Sequence, residues 1–182
     1  MKNWTNLHNH TVFSMLDGHG DIEQYLTRAK SLGMRGLATT DHGNIHSWLD
    51  FYDAGTSIGV KPILGSEFYQ ARKTRFDRDP EERSGPSQNE WEQRGPYHIT
   101  ILAKNKVGYN NIIKISSRSF LEGYYVKPRI DHDLIAEHSE GIIVLSGCLN
   151  SEVCQALLRD DYAFALASAK KMQDIVGKEN YF

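Results

Sequence analysis

Imidazole, carboxylate and thiolate are the side chains that hold divalent transition metals. This chain spaces them along its length as His8 and His10, Asp17, the pair Asp41 and His42, Glu67, His98 and Cys148. Most follow directly on a short apolar run. Ligands drawn from many strand ends describe an active site, whereas a zinc finger gathers its ligands within a short stretch. In an extended segment residues two apart point to one face, so His8 and His10 can grip one ion or bridge two while Asn9 points away. Asp17 sits in Leu16-Asp17-Gly18, a turn signature in which aspartate more often caps backbone amides than binds metal. At Asp41 and His42 either residue can be the ligand, the other then fixing the imidazole tautomer from outside. A lone glutamate in the place of Glu67 is usually solvated, and a lone Cys148 is usually a buried inert thiol. Their joint occurrence at successive strand ends carries the metal reading. His19, His46, His132 and His138 have no such positional argument, and His132 and His138 flank a polar helix and read as surface residues.

These residues need a frame, and the pattern supplies strands and helices in alternation. Thr5 to Thr11 reads as a strand, followed by a helix from the N-cap Asp21 to about Leu32 that Gly33 ends. Gly36 to Thr40 is the second strand. The amphipathic stretch His46 to Ile58, closed by Gly59, leads into the apolar run Val60 to Leu64 and its continuation to Tyr69. Beyond a polar insertion come a strand over Tyr97 to Ala103, a helix from about Tyr109 to Phe120, and a short helix near Leu134. The run Ile142 to Leu145 and helices near Val153 to Leu158 and Tyr162 to Ile175 follow, and Gly177 to Phe182 reads as the start of another strand. Such alternation specifies a parallel sheet with helical crossovers, as an α/β barrel or an open doubly wound sheet. His8, His10, His42, Glu67 and Cys148 fall at strand C-terminal ends, which favours the barrel. His98 stands at the start of its run, and pattern alone gives it no place.

The bulk composition narrows the class. With 182 residues, 40% hydrophobic, 24% charged and a net charge of −2, the chain reads as one globular domain over residues 1–182 with a core of its own. That balance excludes a strongly basic nucleic-acid footprint, so DNA would bind only at a local site. No stretch approaches the roughly 18 apolar residues of a membrane span, and MKNWTNLHNH has no apolar signal core, so the expectation is a cytoplasmic protein without membrane partners. Cys148 and Cys154 straddle a strand-to-helix turn, where thiol chemistry is a better reading than a disulfide. A charged loop insertion at about 72–96 differs from the rest, with three of the five prolines, six basic and six acidic side chains. It reads as a solvated loop, or as a lid beside the site.

The stretches Leu7-His8-Asn9-His10-Thr11 and Phe13-Ser14-Met15-Leu16-Asp17-Gly18 resemble the opening of the polymerase and histidinol phosphatase (PHP) domain. The version they resemble is the one at the N-terminus of the bacterial DNA polymerase III alpha subunit. Thr40-Asp41-His42-Gly43-Asn44, Gly59 to Glu67, Glu122 to Asp131 and Glu140 to Cys148 extend the resemblance over nearly the whole chain, in order.

The resemblance implies a distorted (β/α)₇ barrel whose intact members hold about three metal ions on nine side chains. His8, His10, Asp17, His42, Glu67, His98 and Cys148 match seven of those places, with Asp41 as an outer partner. The last two family ligands belong to a later Asn-Asp-x-His type motif, which this chain stops short of, so it is expected to be C-terminally incomplete. The implied activity is metal-dependent 3′→5′ exonuclease action on a DNA primer end during replication. The implied partners are the rest of the polymerase chain and, through it, clamp or proofreading subunits. Mixed imidazole, carboxylate and thiolate ligands favour Zn²⁺ or Mn²⁺ over Mg²⁺. Lys127 and Arg129 can contact substrate phosphates or form a rigid turn, and Tyr124 and Tyr125 can stack on a base or pack. A free-standing phosphoesterase of histidinol-phosphatase type, and a silent metal-binding scaffold for the polymerase, are the other two readings.

Overall fold

The computed structural model describes residues 4–78 and 95–182. Most of the charged insertion, residues 79–94, lies outside the described residues, and with it the lid reading of that segment. Among the described residues the fold is mixed α/β, with five strands and six α-helices. The chain divides into two compact units, Met1–Glu67 and Phe68–Phe182.

In the first unit, α1 (Ile22–Ser31) starts at Asp21, whose side chain accepts from the Glu23 amide. Glu23 in the first turn and Arg28 and Lys30 in the last complement the helix dipole. Its apolar face, Ile22, Leu26 and Ala29, packs into one core cluster with Leu37 of β1 (Gly36–Thr39), Phe51 of α2 (Trp48–Ile58) and Val60. Leu26 and Phe51 are fully buried, each stabilising by about 1.5–3 kcal/mol. β1 pairs in parallel with the start of β2 (Lys61–Gln70), from Gly36 opposite Lys61 to Thr39 opposite Leu64. The Trp48 indole N–H donates to the Gly65 carbonyl at 2.9 Å and ties α2 to β2.

The expected first strand, Thr5 to Thr11, does not form. Asn6 makes one parallel bridge with Leu37, and the Ala38 and Thr40 amides reach Asn6 and Asn9 carbonyls. The segment's own donors turn elsewhere, the His8 amide to Asn6 Oδ1 and the Asn9 amide to Thr40 Oγ1. Side-chain acceptors have taken the amides that a ladder needs.

In the second unit, the end of β2 pairs in parallel with β4 (Arg129–Ile130). The all-parallel expectation fails at β3 (Tyr97–Ala103) and β5 (Ile142–Leu145), which pair antiparallel from Thr100 opposite Leu145 to Ala103 opposite Ile142. Alternation in sequence does not fix polarity when the connection includes more than one helix. Here α3 (Lys106–Leu121), β4 and α4 (His132–Glu137) all intervene. α3 is capped by Asn105, which accepts from the Val107 and Gly108 amides. It buries Ile112 and Ile115 against β3 and β5. α5 (Glu152–Leu158) and α6 (Tyr162–Val176) start from Ser151 and Asp161 caps and pack on each other. Beyond a short 3₁₀ turn at Lys178–Asn180, Tyr181 bridges in parallel to Val144, which is as much of a further strand as forms. No helix of the described residues is long and apolar enough to cross a membrane.

Candidate metal centre

Beyond β1 the chain keeps step with β2. His42 forms a parallel bridge with Glu67, the Glu67 amide donates to the Asp41 carbonyl, and the Gly43 amide donates to the Glu67 carbonyl. This register lays an imidazole and a carboxylate side by side at one end of the pair. The turn Thr11 to Gly18 brings the third partner. Its amides close on Thr11 and Ser14 carbonyls, and Gly18 lies so near Thr11 that an added Cβ would stand 1.7 Å from the Thr11 carbonyl oxygen. Only glycine fits there, and the turn it permits delivers Asp17. The Leu-Asp-Gly signature is a turn, as its sequence suggests, and the turn places the aspartate among the histidines.

The result is a convergence of three imidazoles and two carboxylates within the first unit. His8 Nε2 meets Glu67 Oε2. His10 Nε2 lies 3.6 Å from the same oxygen and 3.8 Å from Asp17 Oδ2. His42 reaches both carboxylates, Nε2 to Asp17 Oδ2 at 2.8 Å and Nδ1 to Glu67 Oε1 at 3.3 Å. The His10 and His42 rings stack at 4.1 Å with 15° between planes. Two overlapping triplets, His8 with His10 and Glu67, and His10 with Asp17 and His42, keep their ligand atoms within 4.8 Å of one another. Glu67 is 2% exposed and Asp17 56%, so the cluster has a buried floor and an open side. Burial, then the neighbouring His42, push the His10 imidazole below its ordinary 6.5 against the opposite pull of Glu67. A neutral imidazole keeps the lone pair that a metal needs.

Asp41 is not turned toward the imidazoles. Its carboxylate is 1% exposed and accepts from the Thr11 amide and hydroxyl, Ser14 Oγ at 2.7 Å, Thr39 Oγ1 and Ser47 Oγ at 2.6 Å. One buried anion thus gathers the loop after the histidines, the end of β1 and the start of α2. The sequence left Asp41 and His42 open as ligand and outer partner; the donors that meet the Asp41 carboxylate are one amide and four hydroxyls.

The other two candidates lie in the second unit. His98 starts β3, and because β3 runs antiparallel to β5, its start lies beside the end of β5, where Cys148 follows. His98 Nδ1 and Cys148 Sγ are 3.6 Å apart. Gly147, at φ 95°, makes the turn beneath them with its Cα hydrogens toward the His98 carbonyl. The antiparallel polarity that the sequence did not reveal is what places His98.

Arg129 does not reach solvent. It is fully buried, and its guanidinium donates to the carbonyls of Gly123, Arg75 and Asp77. The phosphate-contact expectation fails for Arg129, because its donors serve the protein's own backbone. Lys127 is half-buried, its ammonium 5.0 Å over the Tyr69 ring. Tyr125 lies under the Arg129 guanidinium, and Tyr124, still 55% exposed, stacks on Phe120. His132 is not a surface residue either; its Nε2 is 3.2 Å from Glu152 Oε2, which also accepts from the Gln70 side-chain Nε2 at 3.1 Å. Nothing in the spacing of those three residues announces their meeting.

A model of the PHP domain matches residues 6–182 of the chain. The DNA polymerase III subunit alpha of Thermus aquaticus is 41% identical over 174 residues, 94% of this chain and 13% of that protein. Its counterpart in Treponema pallidum is 40% identical over 98% of this chain and 14% of its own length. That of Mycobacterium tuberculosis is 42% identical over 100% of this chain and 16% of its own. The chain therefore spans about 13–16% of the length of these curated relatives. A crystal structure described as a metal-dependent phosphoesterase of Bifidobacterium adolescentis aligns at 23% identity with a TM-score of 0.42, over 63% of this chain and 32% of that one. At that score the likeness carries no inference.

Proposed function

The chain belongs to the PHP domain family, and from that membership and the histidine–carboxylate cluster of its first unit we propose that it is a metal-dependent phosphoesterase module. Its substrate on this reading is the terminal phosphodiester of a DNA primer, removed 3′→5′ within the alpha chain of a replicative polymerase. The convergence of His8, His10, Asp17, His42 and Glu67 is the observation that carries the reading. Three imidazoles and two carboxylates are a fitting donor set for Zn²⁺ or Mn²⁺. His98 and Cys148 are the further ligands we assign, an imidazole and a soft sulfur suited to the same metals. Bound ions of this kind lower the pKa of a coordinated water and stabilise charge on a leaving oxygen.

The protein's own part is positioning. Asp41 fixes the segments that carry His10 and His42, the Thr11 to Gly18 turn holds Asp17 toward the open side, and burial lowers the pKa of His10. Lys127 is the cation we assign to an incoming phosphate. The relatives' names support a place in a polymerase chain, and clamp or proofreading subunits reached through that chain are the further partners we assign. The distorted (β/α)₇ barrel is the architecture we assign. The parallel pairs of β2 with β1 and with β4 support it.

The test gives the protein, with and without Mn²⁺ or Zn²⁺, a primer with a mismatched 3′ end and separately a small phosphomonoester. Metal-dependent loss of terminal nucleotides, abolished by His10→Ala, is expected. Phosphate release from the small ester alone would mean a histidinol-phosphatase-like enzyme instead. Metal binding with neither activity would mean a scaffold.

A further inference from the structure

We propose that Ser14 sets the tautomer of His10, holding its proton on Nδ1 so that Nε2 presents a lone pair to the ligand cluster; the inference rests on the metal reading of that cluster. Ser14 is 2% exposed, and its hydroxyl has a single hydrogen to give and two lone pairs to receive with. An ionised carboxylate only accepts, so the hydrogen lies on Asp41 Oδ1, 2.7 Å away. One lone pair takes the His42 amide N–H at 3.1 Å. The other faces His10 Nδ1 at 3.4 Å.

With its hydrogen committed, the Ser14 oxygen can only accept from that ring nitrogen. A proton on Nδ1 completes the contact. A proton on Nε2 would set the Nδ1 and Ser14 lone pairs against each other at 3.4 Å, the shortest of these contacts, whereas the Nε2 lone pair meets carboxylate oxygens only at 3.6 and 3.8 Å, with room between for a cation. The opposite nitrogen, Nε2, is the one that faces Glu67 Oε2 and Asp17 Oδ2. Asp41 cannot readily turn to release the Ser14 hydrogen, because the Thr11 amide and the Thr11, Thr39 and Ser47 hydroxyls hold both of its oxygens. Ser14 is therefore a positioning residue for two members of the cluster, through the ring of His10 and the backbone of His42. An outer partner that fixes a ligating imidazole in this way typically changes metal affinity by about 10- to 100-fold.

Two measurements test it. Long-range ¹H–¹⁵N correlation on the metal-free wild-type protein, at mildly alkaline pH where imidazoles are neutral, reads the tautomer directly. A pyrrole-type Nδ1 and a pyridine-type Nε2 for His10 are expected, and the reverse assignment overturns the proposal. Zinc affinity by competition with a chromophoric chelator should fall about 10- to 100-fold in Ser14→Ala and return in Ser14→Thr, which restores the hydroxyl. A folded Ser14→Ala protein that binds zinc as the wild type does also overturns it. If Ser14→Ala does not fold, the wild-type nitrogen spectrum still decides. A wild type that binds no zinc would sink the phosphoesterase reading alone, since the tautomer is read without metal.

Discussion

Two regions of this molecule concentrate charge, and they differ in what their charges face. In the second unit Arg75, 5% exposed, places its guanidinium on Asp131, 3% exposed, at 2.8 Å and on Glu122 at 2.7 Å. Arg118 pairs with Glu122 and Glu137, and Asp131 also caps α4 by accepting from the Leu134 amide. Each carboxylate there meets donors with hydrogens to give, so the region is complete as it stands. In the first unit the carboxylates of Asp17 and Glu67 meet imidazoles instead. Carboxylates only accept, and an imidazole offers a hydrogen on one nitrogen and a lone pair on the other. Where such lone pairs converge, the natural complement is a cation. Density of charge does not separate the two regions; the balance of hydrogens against lone pairs does, and it is what supports a metal reading of the first.

The comparison breaks most readily at Asp131. Asp131→Ala strips the buried Arg75 guanidinium of its buried partner, leaving it Glu122 alone, and should cost about 3 kcal/mol by urea unfolding, with the zinc affinity of the surviving folded protein unchanged. His10→Ala should do the converse. It removes a ring shared by both triplets, so zinc affinity should drop by more than the roughly 100-fold limit for an outer partner, while the metal-free protein unfolds at nearly the wild-type denaturant concentration. A large stability loss with intact zinc binding would assign His10 to packing.

Asp41→Asn stands between the two regions in kind. It should lower stability by about 2 kcal/mol, since hydroxyl and amide donors lose a charged acceptor, and weaken zinc binding by roughly tenfold through the ligand loops. An effect on stability alone would remove Asp41 from the site. The smallest effect concerns acid. Arg118, then Arg75, hold the Glu122 carboxyl down at about 2, against its ordinary 4.5. A carboxyl depressed in the folded state stabilises fully above its ordinary value and loses that contribution as pH falls toward the depressed one. Melting temperature should therefore fall between about pH 4.5 and 2 in the wild type, and less steeply in Glu122→Gln.

Much of the frame was legible in sequence because it rests on local signals. Asp21 and Gly59 mark the start of α1 and the end of α2, and the apolar runs over Tyr97 to Ala103 and Ile142 to Leu145 give two strands residue for residue. The first strand was misread because His8 and Asn9 send their amides to side chains, a choice that depends on where Thr40 lies. Arg129 was misread because a basic residue beside proline looks the same whether it faces solvent or, as here, three backbone carbonyls.

The sequence by itself determined the residue types of the site, their order, and the family they belong to. Side-chain chemistry and motif spacing are written along the chain. The tertiary structure alone decided that β3 opposes β5, so that His98 meets Cys148, and that Asp41 gathers the Thr11 to Ser14 loop, the end of β1 and the start of α2. It also placed Ser14 between Asp41 and His10. Polarity of pairing and the direction of a hydroxyl's one hydrogen depend on groups tens of residues away, and no local pattern encodes them.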